Sequence, residues 1–385
     1  MSEEFDVAVV GGGIVGLSAA IAMRQRDFSV AVIDAGALIA NIQVPDLRVY
    51  AINQASQALF TRLGIWKNLD QTRVSPYSHM HVWDAQSGAH IDFDARMVAQ
   101  DKLGSIIEES IIKNALLQQA SVLGVHLIAN KKVSAVRATD HDVQLSADEG
   151  MWRAKLLIIA DGASSATRQL LNIALTSWPY HQHALVAIVR TEKAHQQTAY
   201  QVFNPAGPLA FLPMNDVHQC SIVWSTTAAH VQTLMALAEH DFNQQLQQAF
   251  ADTLGTCQVL GARHQFPLHM RHAKQYAGAR WLLMGDAAHS IHPLAGLGLN
   301  LGLADVSAWL ATLDASSKPI WSASSLRAYQ RQRKHAVWQT ILLMDGLKTL
   351  FTNPLPPVAA LRGLGLQLCD NLPLLKRFFI KQAAG

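Results

Sequence analysis

Cysteine is scarce in this chain: Cys220, Cys257 and Cys369 are its three, scattered along 385 residues with no CxxC pair. That excludes a disulfide framework and leaves an iron–sulfur cluster or structural zinc without ligands. Charge is scarce too. Charged residues make up 15% of the chain, and the formal net charge of +3 is too small for a nucleic-acid binder. No apolar run reaches the roughly 18 residues that span a bilayer. Glu3, Glu4 and Asp6 stand where a secretory signal would carry basic residues. These absences point to the cytoplasm, or to the inner face of the cytoplasmic membrane. What is abundant is apolar: half the residues are hydrophobic, enough for a large core in more than one domain.

The pattern opens with a buried strand over residues 5–10, a glycine turn, a helix over 14–26 and a second strand over 30–34. This is a βαβ unit, the start of a doubly wound sheet. A small antiparallel excursion is expected over 75–93, a helix over 110–123 and a buried strand over 155–160. From 183 to 225 the texture changes to short strands separated by polar or Gly-Pro turns, as in an antiparallel sheet. A buried strand returns at 281–284, with a long helix after Gly298.

Three motifs carry chemistry. The first, Gly11-Gly12-Gly13-Ile14-Val15-Gly16, follows a strand and opens a helix. Gly11 permits the tight turn, Gly13 lets a pyrophosphate approach the backbone, and Gly16 allows close helix–strand packing. Asp34 ends the next strand 34 − 13 = 21 residues after Gly13, the usual place of a carboxylate that binds ribose hydroxyls. The second motif, Asp161-Gly162 with Ser164, Ser165 and Arg168, again follows a strand; alone it also reads as an ordinary turn. The third, Gly285-Asp286-Ala287-Ala288-His289, continues to Pro293, Gly296, Gly298 and Asn300. It suits a second helix N-terminus facing the same ligand. There Asp286 accepts from ribityl or ribose hydroxyls, and backbone N–H groups near 298–300 face the edge of a flavin ring.

These motifs, in this order, resemble the para-hydroxybenzoate-hydroxylase-like flavin monooxygenases. The runs LRVYAINQAS at 47–56, HALVAIVRTE at 183–192, FLPMNDVHQCSIVWS at 211–225 and GDAAHSIHPLAGLGLNLG from 285 are similar to the ubiquinone-biosynthesis hydroxylases among them. The resemblance implies an FAD-binding domain over 1–74, 97–176 and 268–345. It implies a mainly antiparallel substrate domain over 75–96 and 177–267, and a C-terminal helical region over 346–385. It places Gly11, Gly13, Gly16 and Asp34 on the adenosine half of FAD, and Arg48 by the flavin or ribityl chain. Asp161 and Gly162 fall by the pyrophosphate and the nicotinamide approach, and Asp286, Gly296, Gly298 and Asn300 at the ribityl and ring end. Phe211, Pro213 and Pro293 fall on the substrate side, with core packing the plain alternative for the run that starts at Phe211. Two positions depart from the pattern: Leu297 stands where Gln is usual, and Glu109 where Asn is usual. Leu297 keeps its backbone N–H, and Glu109 is expected to turn away from a pyrophosphate.

The activity implied is ring hydroxylation of a polyprenylated phenol. NADH or NADPH reduces FAD, O2 reacts at C4a of the reduced flavin, and the phenol takes up one oxygen atom. The alternatives are a hydroxylase of a small soluble aromatic acid, a flavin reductase, and a flavoprotein scaffold. No catalytic acid or base is assigned and no metal is expected. His289 and His292 lack companion ligands, and His289 reads better as a buttress of its loop. His181 and His183 alternate on a strand and read as partly buried and satisfied.

The tail, residues 354–385, carries Arg362, Lys376, Arg377 and Lys381 against Asp370, a net +3. As a helix it would gather Leu374, Leu375, Phe378 and Phe379 on one face and Lys376, Arg377 and Lys381 on the other, with Ile380 breaking the pattern. It either packs on the FAD domain or docks on an anionic membrane or a biosynthetic partner.

Overall fold

A computed structural model describes residues 3–291 and 297–352, with residues 370, 372, 376, 377, 379, 380 and 384 beyond them. The first sheet has the spatial order β17 (Ala277–Gly278), β18 (Trp281–Leu283), β11 (Met151–Ile159), β1 (Glu3–Val10), β2 (Val30–Ile33) and β8 (His126–Ile128). The four pairs from β18 to β8 are parallel. A branch, β9 (Ala135–Ala138) and β10 (Val143–Ser146), adds antiparallel to β11. Parallel strands are covered on both faces, so they read as unbroken apolar runs; Val7–Val10 and all of β2 are buried. The covering helices include α1 (Ile14–Arg24), α3 (Glu109–Val122), α7 (Leu297–Asp314) and α8 (Ala323–Thr352), while α2 (Gln54–Arg62) packs on α7. The short α4 (Ala166–Leu170) follows the second motif.

The second sheet runs β19 (His289–Ser290), β16 (Cys257–Ala273), β12 (Leu175–Thr191), β15 (Gln219–Thr227), β14 (Gly207–Pro213), β13 (Thr198–Asn204), β5 (His79–Asp84) and β6 (His90–Asp94). It is antiparallel except where β13 meets β5. One face packs on α5 (Ala228–Ala236) and α6 (Glu239–Ala249), with Phe211, Trp224, Phe242 and Phe250 in that core. Between the two large sheets lies a third, β3 (Val49–Asn53), β7 (Gly104–Glu108) and β4 (Val74–Tyr77).

Within the stretch 75–93, β5 and β6 extend the second sheet as an antiparallel pair, while Val74–Tyr77 joins the small sheet. Two expectations are corrected here. His181 and His183 do not alternate: a register break between Pro179 and Gln182 sets His181 at φ +55, exposed. His183 is half-buried, and its Nδ1 has no partner among the described residues. In the tail, Lys376 and Ile380 are buried while Arg377 and Phe379 are exposed, so the charged side is in part the covered side. The reason is a partner: the Lys376 ammonium pairs with Asp370, whose Oδ1 also accepts the Asp92 N–H at 3.0 Å. Leu374, Leu375, Phe378 and Lys381 lie outside the described residues.

Candidate functional site

The first turn is built by close approach. Gly11 has φ +107, and a Cβ there would lie 2.3 Å from the Ala160 carbonyl oxygen. A Cβ on Gly16 would lie 1.9 Å from the Gly11 oxygen, so only glycine lets α1 settle against the turn. Gly13, the residue ahead of α1, has no side chain to cap the helix, and nothing lies within 4 Å of where its Cβ would be. The amide groups of that first turn are left for a ligand. Asp34 serves the turn itself: Oδ2 accepts the Gly12 N–H at 2.6 Å and Oδ1 the Gly36 N–H at 2.7 Å.

In the second motif Asp161 Oδ2 accepts the Thr167 N–H at 3.0 Å, and its Oδ1 is buried without a partner among the described residues. Ser165 Oγ caps α4 by accepting the Arg168 N–H at 2.9 Å. The buried Arg168 guanidinium then donates to the Ala163 oxygen at 3.1 Å and to the Ala287 oxygen at 2.8 Å, clasping the second motif to the third. Gly162 has φ +84 and open space beside it.

The third motif is held from beneath. Asp305 on α7 is fully buried and accepts the Gly285 N–H at 2.8 Å, His289 Nε2–H at 2.7 Å and Arg333 Nε–H at 2.6 Å. Burial alone would raise the pKa of Asp305, but His289 and Arg333 outweigh it and hold the carboxyl below its usual range. Asp286 opens into the cavity yet is surrounded by protein, and this burial raises its pKa despite His289 and Arg48 nearby. Gly298 also opens on empty space. The buried Asn300 is a tie between elements: it accepts from Ser56 Oγ at 2.8 Å and the Asn53 N–H at 3.1 Å, and donates to the Ala51 oxygen at 2.7 Å. Pro293, Gly296 and His292 lie outside the described residues.

Glu109 does not turn away. It lines the cavity, 3.4 Å from Arg48 Nε, and accepts from the Tyr50 hydroxyl at 3.4 Å. Arg48 supplies the opposite charge that makes a carboxylate tolerable there. Its guanidinium also lies 5.3 Å from the Tyr50 ring centroid.

The three motifs and the Arg48–Glu109 pair border one cavity of about 970 Å³, each motif through some of its residues. Gly13, Arg48, Gly162, Asp286 and Gly298 line one end; Tyr77, Met80, Ile106, Ala210 and Leu212 line the other. Asp34, Asn300, Phe211 and Pro213 are not in its lining. Phe211 is fully buried on the opposite face of β14, stacked on Phe250 at 3.7 Å. Side chains alternate along a strand, so Pro208, Ala210 and Leu212 face the cavity and Phe211 and Pro213 do not. The support from Asp305 and Arg333 was missed; its one signal is that Asp305 is the only charged residue between Leu297 and Leu313. Among the described residues no group of three or more side chains is arranged to hold a metal.

An extended dinucleotide fits this place. Three glycines face open space, the first turn of α1 is uncapped, and its first residue and those of α7 border one cavity. The FAD binding domain family matches residues 4–343. This chain belongs to that family. The flavoprotein is an FAD-dependent aromatic-ring monooxygenase, and its relatives are named accordingly. It is 35% identical to 3-demethoxyubiquinol 3-hydroxylase of Escherichia coli (strain K12), covering 99% of this chain and 98% of that one. It is 33% identical to ubiquinone hydroxylase UbiL of Rhodospirillum rubrum, covering 99% and 89%. Against the human mitochondrial ubiquinone biosynthesis monooxygenase COQ6 the identity is 31%, covering 97% and 91%. The fold is shared with p-nitrophenol 4-monooxygenase PnpA from Pseudomonas putida DLL-E4, at TM-score 0.82 and 20% identity over 100% of this chain and 99% of that one.

Proposed function

We propose that this flavoprotein hydroxylates the aromatic ring of a polyprenylated phenol in ubiquinone biosynthesis, using NADH or NADPH as electron donor and O2 as co-substrate. The observation that carries the reading is a cavity with two unlike ends, one of open glycines and charged groups, the other apolar. In this reading Gly11, Gly13 and Gly16, with Asp34 shaping their turn, hold the adenosine half of FAD. Arg48, Asp161 and Gly162 lie along its middle, and Asp286, Gly296, Gly298 and Asn300 support the ribityl and ring end. FAD, when bound and reduced, supplies the oxygen activation. The protein's own part is to orient the ring, exclude water and fix charge around the cofactor.

A soluble aromatic acid would need a cation where the ring sits. Arg271 lines the cavity, but its strand partner is Ser290 and it acts electrostatically on Asp286, which puts it at the cofactor end. The test is turnover with ¹⁸O2: one labelled atom per phenol product supports the proposal. NADH or NADPH consumption without labelled product would turn it into a reductase. In cells, deletion of the gene should accumulate a prenylated ring one oxygen short.

A peripheral place on the inner face of the cytoplasmic membrane suits a substrate with a polyprenyl tail. Leu342, Leu343 and Leu350 of α8 are exposed, as are Leu372 and Phe379. Among the described residues no helix is long and apolar enough to cross a membrane. Co-sedimentation with anionic vesicles, lost on Leu342→Glu with Leu343→Glu, is the expected result.

A further inference from the structure

The apolar end of the cavity is a compartment between two sheets. Ala51 and Ile106 of the small sheet face Met80, Ala199 and Leu212 of the large one, and Tyr77 of β4 closes the group. Tyr77 is 7% exposed, and its hydroxyl makes no hydrogen bond with any described residue. Ser221, across the sheet from Leu212, also has an unpartnered hydroxyl, but that atom is sealed from solvent. The Tyr77 hydroxyl is not sealed and opens into the compartment. A second feature fits that placement. Tyr77 pairs with Gly104 on β7, and a Cβ on Gly104 would lie 2.8 Å from the tyrosine hydroxyl. Glycine at 104 leaves room for the hydroxyl and for the Ile52 carbonyl oxygen, 2.7 Å from the same point.

A buried hydroxyl without a partner is unfavourable until a ligand supplies one. Resting on the hydroxylase reading above, we propose that Tyr77 is the specificity residue of the site, donating its O–H to the phenolic oxygen of the substrate. Anchoring that oxygen sets the rotation of the ring in the compartment, and hence the ring carbon presented for oxygenation. Burial pushes the Tyr77 hydroxyl up to about 12, so it remains a donor at neutral pH. Tyr77 binds and orients; no proton leaves it.

The test uses the FAD-loaded full chain and two probes, 2-geranylphenol and geranylbenzene, which lacks the oxygen, titrated by the perturbation of flavin absorbance. The unaltered protein should prefer the phenol by about tenfold, the discrimination of a site built around one buried hydrogen bond. Tyr77→Phe should bring that ratio close to one by weakening phenol binding, with geranylbenzene held within about twofold of its original Kd. Gln201→Leu, which removes a different polar side chain from the cavity wall, should leave it unchanged. A full ratio in Tyr77→Phe, or a ratio lost in Gln201→Leu instead, overturns the anchor. The ratio is internal to each variant, so a loss of stability does not imitate the effect. Absence of ¹⁸O from product with the ratio intact would count against the hydroxylase reading alone.

Discussion

Asp305 shows how much one side chain organises. It accepts three hydrogen bonds from groups 16 to 28 residues away in sequence and beneath the loop that carries Asp286. Asp305→Ala would leave His289 and Arg333 buried without their counter-charge, a change that costs roughly 3–5 kcal/mol. Urea unfolding should register that loss, and fluorescence of released FAD should rise at a lower temperature. Nearby, His272 is buried with Nε2 unpartnered, and burial, with the His289 and Lys334 charges adding to it, pushes it down from 6.5 to about 4. The folded state then holds fewer protons than the unfolded chain in that window. Stability is therefore complete above the ordinary histidine value and drains away as the pH falls toward 4, by on the order of 3 kcal/mol. His272→Asn should flatten this slope between pH 7.5 and 4.5 in urea titrations. The glycines at this scale were legible from spacing alone, since each has a local steric job. Arg333 was not, because its partner lies on another helix.

Strand β14 separates stability from recognition within seven residues. Phe211→Ala removes a ring packed against Phe250 and should cost about 3–5 kcal/mol, with the KM for a phenol nearly unchanged. Leu212→Trp, one residue along and on the other face, should do the reverse: fill the compartment, raise KM at least tenfold on the order of a lost pocket contact, and leave thermal unfolding close to that of the parent. Steady-state kinetics and calorimetry on the pair check both arms. Sequence pattern found this strand but did not separate its two faces. The reason is physical: one face meets the α5 and α6 core and the other an apolar cavity, so polar alternation, which normally marks the inner face, is missing. The parallel strands were easier, because burial on both sides leaves only one reading.

Taken as a whole molecule, the cavity draws on residues from Gly13 to Leu299, on strands of the second and third sheets and on the loops that follow strands of the first. The change of texture at residue 183 announced a second sheet, but the closure of the small third sheet between the large ones depends on pairings such as Ala51 with Ile106 that no local pattern encodes. The C-terminal stretch is a similar case. Helical periodicity assigned Lys376 to solvent, and a carboxylate six residues earlier draws it inward. Lys376→Ala should release the stretch from β6, seen as new proteolytic cleavage after residue 370 with flavin absorbance retained.

The order in which the chain is synthesised adds a consequence. The glycine turn that starts the cradle emerges first, whereas β18 and the beginning of α7, which complete it, are separated from that turn by more than two hundred and fifty residues. A ribosome-bound chain therefore carries half a socket for most of its synthesis. Cofactor capture becomes a late event, and any product ending short of Gly298 should emerge colourless however well its first βαβ unit has formed.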